Sequence, residues 1–335
     1  MSFAYVTNAD SKTVSVIDTE THSIIATVPV GERPSFVAFT PDSKIAYIIN
    51  NFSNGSVSVI DVKTHSLIAT VSVGSRPNFV SFTPNGKIAY VVNDGTVSVI
   101  DVKTHSVVAT VLIGTSPRSV AFTPDGKLAY VTNVSGPTSV IDVDTHSVIA
   151  SVQIRSVFIA FSPDGKIAYV NNPDDANTVS AIDVKTHSVI STISVEEFPV
   201  FVAFTPDGKL AYVTNNFNNS VSVIEVKTHS VVATVQVGSN PQFVVFTPDG
   251  KLAYINNEGN TISIIDVKTH SVISTVQVGV GGTPQLVAFT PDGKLAYVAR
   301  TEFGGGTVSV IDIKTHSNIA TVSVGQTPLF VAVTR

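Results

Sequence analysis

Short apolar stretches recur along the whole chain, separated by turns of nearly fixed composition. One unit shows the pattern: Phe201–Thr205, Leu210–Thr214, Ser220–Glu225 and Val231–Val237. Each stretch is rich in Val, Ile, Phe, Tyr and Thr, side chains that pack well on a pleated surface, so each predicts a β-strand. Apolar or small residues occupy both alternating faces of these strands. That pattern predicts sheets covered by a neighbour on each side. Between the first two strands lies Thr205-Pro-Asp-Gly-Lys209. Its proline presets φ for a type I turn, and its glycine takes the left-handed position that follows.

The unit repeats with a period near 40. Ala-Tyr pairs begin at Ala4, Ala46, Ala89, Ala129, Ala168, Ala211, Ala253 and Ala296, and Thr-His pairs end at His22, His65, His105, His146, His187, His229, His270 and His316. Four short strands per unit at this period predict propeller blades. The chain enters on a second strand, Ala4–Asn8, and leaves on a first strand, Leu329–Thr334. The last strand must therefore complete the blade begun by the N-terminus, which removes the exposed sheet edges of an open array. The expected fold is all-β: one eight-bladed propeller of four-stranded antiparallel blades over residues 1–335.

Strand alternation places the two constant turns, Thr-Pro-Asp-Gly-Lys and Lys-Thr-His-Ser, at one end of the propeller. The variable connections lie at the other. Arg33, Arg76, Arg118, Arg155 and Arg300 fall at the variable end, with Glu196 and Glu197 following the arc. Guanidinium forks match carboxylate, sulfate or phosphate geometry, so these residues form a candidate anion site. The alternative is arginines bonded to loop carbonyls or to Glu32, Glu196 and Glu197. The eight histidines read as turn residues copied with the scaffold. No catalytic constellation stands out, and no metal or cofactor is implied. The loop from Asn172 to Asn177 offers oxygen ligands, but without the one-residue alternation of a calcium loop.

Net charge is -5 and there is no cysteine. The first gives no support for nucleic-acid binding, and the second excludes disulfides and thiolate metal sites. No apolar run is long enough to span a membrane, and no signal peptide precedes the first strand. The expected setting is therefore cytosolic, or beyond a leader already removed. Closed edges favour a monomer.

Ala4–Asn8, Ala129–Asn133 and Ala211–Asn215 each read Ala-Tyr-Val-Thr-Asn. With the Val-Ser-Val-Ile-Asp and Ala-Thr-Val segments, they make the chain resemble the YVTN-repeat β-propeller family of surface-layer and other cell-surface proteins. The resemblance implies an extracellular or cell-surface setting. It also implies a non-enzymatic interaction or structural module, binding a protein, glycan or small anion at its variable face. Two other readings stay open: a hydrolase using carboxylates at the channel mouth, and an idealised repeat scaffold with no selected ligand.

Overall fold

The computed structural model describes residues 2–172, 177–279, 284–302 and 305–335. It is an eight-bladed propeller of four-stranded antiparallel sheets, with β-strands its only regular elements among these residues. Blade I holds β1 (Phe3–Asn8), β2 (Thr13–Asp18) and β3 (Ser23–Pro29), and β32 (Pro328–Val333) supplies its innermost strand. Blades II to VIII follow in chain order, each running from its innermost to its outermost strand. Blade II begins with β4 (Pro34–Phe39) and blade VIII with β28 (Pro284–Phe289).

The ring closes as expected. β32 pairs antiparallel with β1, setting Val331 opposite Val6 and Val333 opposite Ala4. Phe3 and Thr334 add two further bonds: Phe3 N–H donates to Thr334 Oγ1 at 2.9 Å, and Thr334 N–H donates to the Phe3 carbonyl at 2.9 Å.

The two middle strands of each blade are buried on both faces because neighbouring blades cover them. Tyr5, Val14 and Val16 of blade I pack with Val37, Ala46, Ile48 and Ile60 of blade II, and the same arrangement recurs around the ring. The outermost strands depart from the expectation. Ile25, Ile68, Val108 and their counterparts are about half exposed. Blades diverge away from the axis, so a face that is covered near the centre is open at the circumference.

All eight tyrosines are fully buried. A buried hydroxyl without a partner costs about 1–3 kcal/mol, and the histidines of the neighbouring blades supply one. The hydroxyls of Tyr5, Tyr47, Tyr90, Tyr130, Tyr169 and Tyr212 lie 2.6–3.0 Å from Nδ1 of His65, His105, His146, His187, His229 and His270. Tyr297 and His22 repeat the pair across the closure at 3.0 Å. Only at the junction of Tyr254 and His316 do the two atoms fail to meet. The histidines are thus latches between blades, where the sequence suggested plain turn residues. Each holds a positive φ of 52–55°, which brings the ring back over the adjacent blade.

Candidate functional site

The variable end is built by the connections from each outermost strand to the next innermost one. The residue before the loop proline adopts a left-handed backbone in six of these connections: Arg33, Arg76, Ser116, Phe198, Asn240 and Thr327. Except at the Arg76 connection, where Asp94 N–H donates to Ser75 O, its carbonyl accepts a hydrogen bond from the blade that follows. Asn51 N–H donates to Arg33 O, Asn216 N–H to Phe198 O and Ala9 N–H to Thr327 O. Arg155 occupies the equivalent place before blade V without the left-handed backbone. Arg118 lies two residues beyond that place, second in β12 (Pro117–Phe122).

Arg33, Arg76, Arg118 and Arg155 are therefore exposed side chains at the entries of four consecutive blades, II to V. Glu196 and Glu197 are exposed in the connection into blade VI. Glu32 is engaged by Lys12, with Nζ to Oε1 at 2.6 Å, so it does not neutralise the neighbouring arginine. Arg300 stands apart. It is buried in blade VIII, donates from Nη2 to Thr307 Oγ1 at 3.1 Å, and lies against Gly279, where a Cβ would stand 2.2 Å from the guanidinium carbon. It takes the place of the asparagine that other blades pack beneath the same glycine, as Asn50 packs beneath Gly31. Arg300 therefore belongs to the sheet interior, outside the exposed arc. The candidate calcium loop falls largely at 173–176, outside the described residues.

A left-handed backbone costs an ordinary side chain roughly 1–2 kcal/mol, and glycine avoids that cost. Glycine also adds unfolded-state freedom, which offsets part of the gain. Arg33→Gly and Arg76→Gly are thus expected to leave the melting temperature unchanged or to raise it slightly in thermal denaturation. A clear loss of stability in either variant would show that the arginine holds the rim together.

Beneath the rim lies a feature that the sequence reading missed. Phe36, Phe79, Phe158, Phe201, Phe243 and Phe330 occupy the same position near the top of six innermost strands. Ser119 and Leu286 take that position in the other two. The rings form two groups. Phe36 lies 4.1 Å from Phe330 and 4.6 Å from Phe79, centroid to centroid. Phe158 lies 5.0 Å from Phe201 and Phe201 5.2 Å from Phe243. Phe158 also reaches Phe243 at 6.2 Å, across an intervening blade. Rings that touch across a skipped blade must converge on the axis, so the mouth has an aromatic floor. For five of the six the signal was available in the sequence as a phenylalanine two residues after the loop proline, while Phe158 follows Ser156 in that place.

The acidic side of the mouth also extends further than the sequence suggested. Glu258 accepts hydrogen bonds from Asn240 Nδ2 at 2.8 Å and Gln242 Nε2 at 3.1 Å. The mouth is polarised, with arginines at the entries of blades II to V and carboxylates around blades VI and VII.

This geometry can be set beside known proteins. A family model described as the cytochrome D1 heme domain matches residues 78–157, and one described as the seven-bladed β-propeller lactonases matches residues 2–113. No curated protein matches. Among solved structures, the dihydro-heme d1 dehydrogenase NirN in complex with DHE superposes with a TM-score of 0.83 at 17% identity, over 98% of this chain and 74% of that one. Hydrazine synthase of Kuenenia stuttgartiensis gives 0.67 at 24% identity, over 83% and 95%. A functionally unknown protein from Desulfotomaculum acetoxidans DSM 771 gives 0.67 at 15%, over 99% of both chains. At these identities the superpositions show the fold.

These matches correct two expectations. The β-propeller is upheld, but the models that match are a haem domain and a lactonase, with no surface-layer family among them. The reading as a non-enzymatic surface module is overturned by the same haem-domain match and by the likeness to NirN and hydrazine synthase.

The residues present fit a haem-type group only in part. Side chains that bind haem iron are histidine, cysteine, methionine or tyrosine. There is no cysteine, and the single methionine is Met1. Every tyrosine is buried, and every histidine lies in a constant-end turn. Among the described residues the mouth therefore offers no side-chain iron ligand of these kinds. It does offer an apolar surface of mutually tilted phenylalanine rings and a rim of guanidinium groups.

Proposed function

We propose that the mouth holds a carboxylate-bearing tetrapyrrole of the haem d1 class, gripped by its face and its periphery. The observation that carries this reading is the pairing of an aromatic floor with an arginine arc around one half of the rim. A tetrapyrrole has the complementary layout, a flat apolar face edged by carboxylates. Stacking on phenylalanine supplies apolar burial, and bidentate guanidinium–carboxylate pairs fix orientation. The haem-domain match, which ends at the entry of blade V, supports the same reading. Iron is not needed for retention, because no step of the recognition passes through it.

The test is titration of the protein into a tetracarboxylate porphyrin, with and without iron, followed by the shift of the Soret band. Both forms are expected to bind with affinities within about threefold. A water-soluble tetracationic porphyrin is expected not to bind. Arg33→Gln with Arg76→Gln should weaken binding by at least about tenfold, the loss of roughly 1.4 kcal/mol or more. Equal binding of the two porphyrins, or an unaffected double variant, would refute the reading.

The lactonase match over residues 2–113 favours a second reading, hydrolysis of a lactone at the same mouth with Glu196, Glu197 or Glu258 as general base. Lactone turnover that disappears in Glu258→Gln while porphyrin binding is absent would favour it.

A further inference from the structure

Ring closure removes the sheet edges that an open array would leave, but each blade keeps one edge at the circumference, along its outermost strand. An edge strand presents unpaired backbone donors and acceptors, and soluble proteins commonly guard it with charge or proline. None of the eight outermost strands here carries a charged residue. Seven of them hold proline or a polar residue where the strand nears the variable end. Pro29, Ser72 and Gln153 take that place in blades I, II and IV, and serine or glutamine takes it in blades V to VIII. β11 (Ser106–Leu112), the outermost strand of blade III, holds Leu112 instead. Leu112 is 80% exposed, more than any other large apolar side chain among the described residues, and Val108 on the same strand is 53% exposed.

The inner bonds of β11 fix which way its open ladder faces. Ile113 N–H donates to the Gly95 carbonyl at 3.1 Å, on the side of β10 (Thr96–Asp101). Register with β10 is unbroken from Ala109 to Leu112. Bonded and non-bonded positions alternate along such a pair, so the N–H and C=O groups of Thr110 and Leu112 face away from the sheet. An antiparallel two-fold axis beside Thr110 sets Thr110 opposite its own copy and brings Leu112 level with Val108 of the second copy. Threonine then meets threonine, and the two most exposed apolar side chains of the strand meet each other. Cross-strand pairs of both kinds are stabilising. In the same register every other edge sets its aliphatic side chain against proline, serine or glutamine. Charge favours the same pairing. Asn85 stands where the other six turns of this kind keep aspartate, so the constant end of blade III, with Lys87, Lys103 and Asp101, is the one that has more lysine than acid. At its variable end, Asp94 lies in the turn between β9 (Ile88–Val92) and β10. Antiparallel pairing turns the positive end of each copy toward the acidic turn of the other.

We infer that β11 is a self-association edge, through which two copies of this chain join their blade III sheets about a two-fold axis. A closed ring taken alone favours a monomer; the unguarded edge of blade III reverses that expectation. Pairing over 108–112 is a small interface, below the roughly 1,200 Å² of stable complexes, so the dimer is reversible and depends on concentration. The edge lies at the circumference and the mouth at the axis. Self-association therefore stands or falls independently of what the mouth binds.

The experiment is sedimentation velocity over a concentration series, joined to cysteine cross-linking. The unaltered chain is expected to pass from monomer to dimer as concentration rises, with no larger species. Leu112→Gln should weaken the dimer at least about tenfold. Glutamine already serves blades IV, VI and VII at this place, so that variant keeps the fold. The chain has no cysteine of its own, so Thr110→Cys reports the register directly. Facing residues of a bonded antiparallel pair stand about 5.5 Å apart at Cα, within disulfide range, and this variant should form a covalent dimer under mild oxidation. Thr70→Cys, at the same place on β7 (Ser66–Ser72) of blade II, should stay monomeric. A monomer persisting to millimolar concentration would overturn the inference. So would a dimer unmoved by Leu112→Gln, or cross-linking of Thr70→Cys as fast as that of Thr110→Cys.

Discussion

Removal of residues 328–335 is expected to abolish the cooperative fold. These residues are all of β32, the innermost strand of blade I, together with the Thr334 and Arg335 bonds that fasten it. Their loss leaves β1 as an unpaired edge lining the channel. It also exposes the surfaces that Phe330, Val331 and Val333 cover in the cores shared by blades VIII, I and II. Fully burying such a side chain is worth roughly 1.5–3 kcal/mol; Val331 is fully buried and Phe330 and Val333 are half-buried, so together with the lost β1–β32 hydrogen bonds they remove a large share of the roughly 5–15 kcal/mol that typically separates folded from unfolded. Circular dichroism and a thermal melt of the truncated chain provide the measurement. Addition of a synthetic 328–335 peptide should restore the transition, because the docking site is a complete strand edge. A truncated chain melting cooperatively within a few degrees of the full one would show that closure contributes little.

That closure was legible in the sequence because it follows from counting. Ala4–Asn8 is a second strand with no first strand before it, and Leu329–Thr334 is a first strand with no second after it. The repeat supplied the remainder of the fold in the same way, since every strand and constant turn appears in eight near-copies. The outermost strands were misread because their sequence carries the same Val and Ile content as the covered strands. Exposure at Ile25 or Val108 arises from the divergence of blades, a property of the ring that no single strand encodes.

The candidate site was legible only where residue type carries its own chemistry. Arginines stand out in a chain with few charges, and four of the five do lie at consecutive blade entries. Arg300 shows the limit. It replaces the asparagine that the other copies keep after the second strand, and register sets it opposite Pro284 inside the sheet, where Gly279 makes room for it. The phenylalanine floor passed unnoticed because phenylalanine in a strand reads as core. Only the ring geometry gathers six separate core residues into two groups around the axis. The histidines were passed over for the opposite reason. A residue copied with a turn looks like scaffold, and its partner tyrosine lies roughly sixty residues away in the preceding blade.

Those latches give the second large effect, a loss of stability in mild acid. Burial holds the imidazoles of His65, His105 and His229 below their ordinary value, while Asp61 near His65 and Asp101 near His105 oppose this more weakly. Burial raises the partner tyrosines Tyr5, Tyr47 and Tyr169 far above theirs, so their hydroxyls stay protonated and each bonds to a neutral imidazole. Protonation places a charge on a part-buried imidazole beside the neighbouring blade, which burial disfavours. Because the folded histidine binds its proton less readily than the unfolded one, the unfolded chain takes up more protons as pH falls below about 6.5. Linkage then requires stability to drop with pH in that window and to be fully present above it. Aspartates held low by threonine donors, Asp61 and Asp101 among them, contribute separately. Their share is present above about pH 4 and is lost only below it. A melting temperature followed from pH 7.5 to 3 should therefore fall in two steps. Replacing His65, His105 and His229 by asparagine, which tolerates the left-handed backbone, should lower the plateau at neutral pH and flatten the first step while leaving the second in place. A curve level between pH 7.5 and 5 in the unaltered protein would mean that the tyrosine–histidine bonds do not govern how the blades hold together.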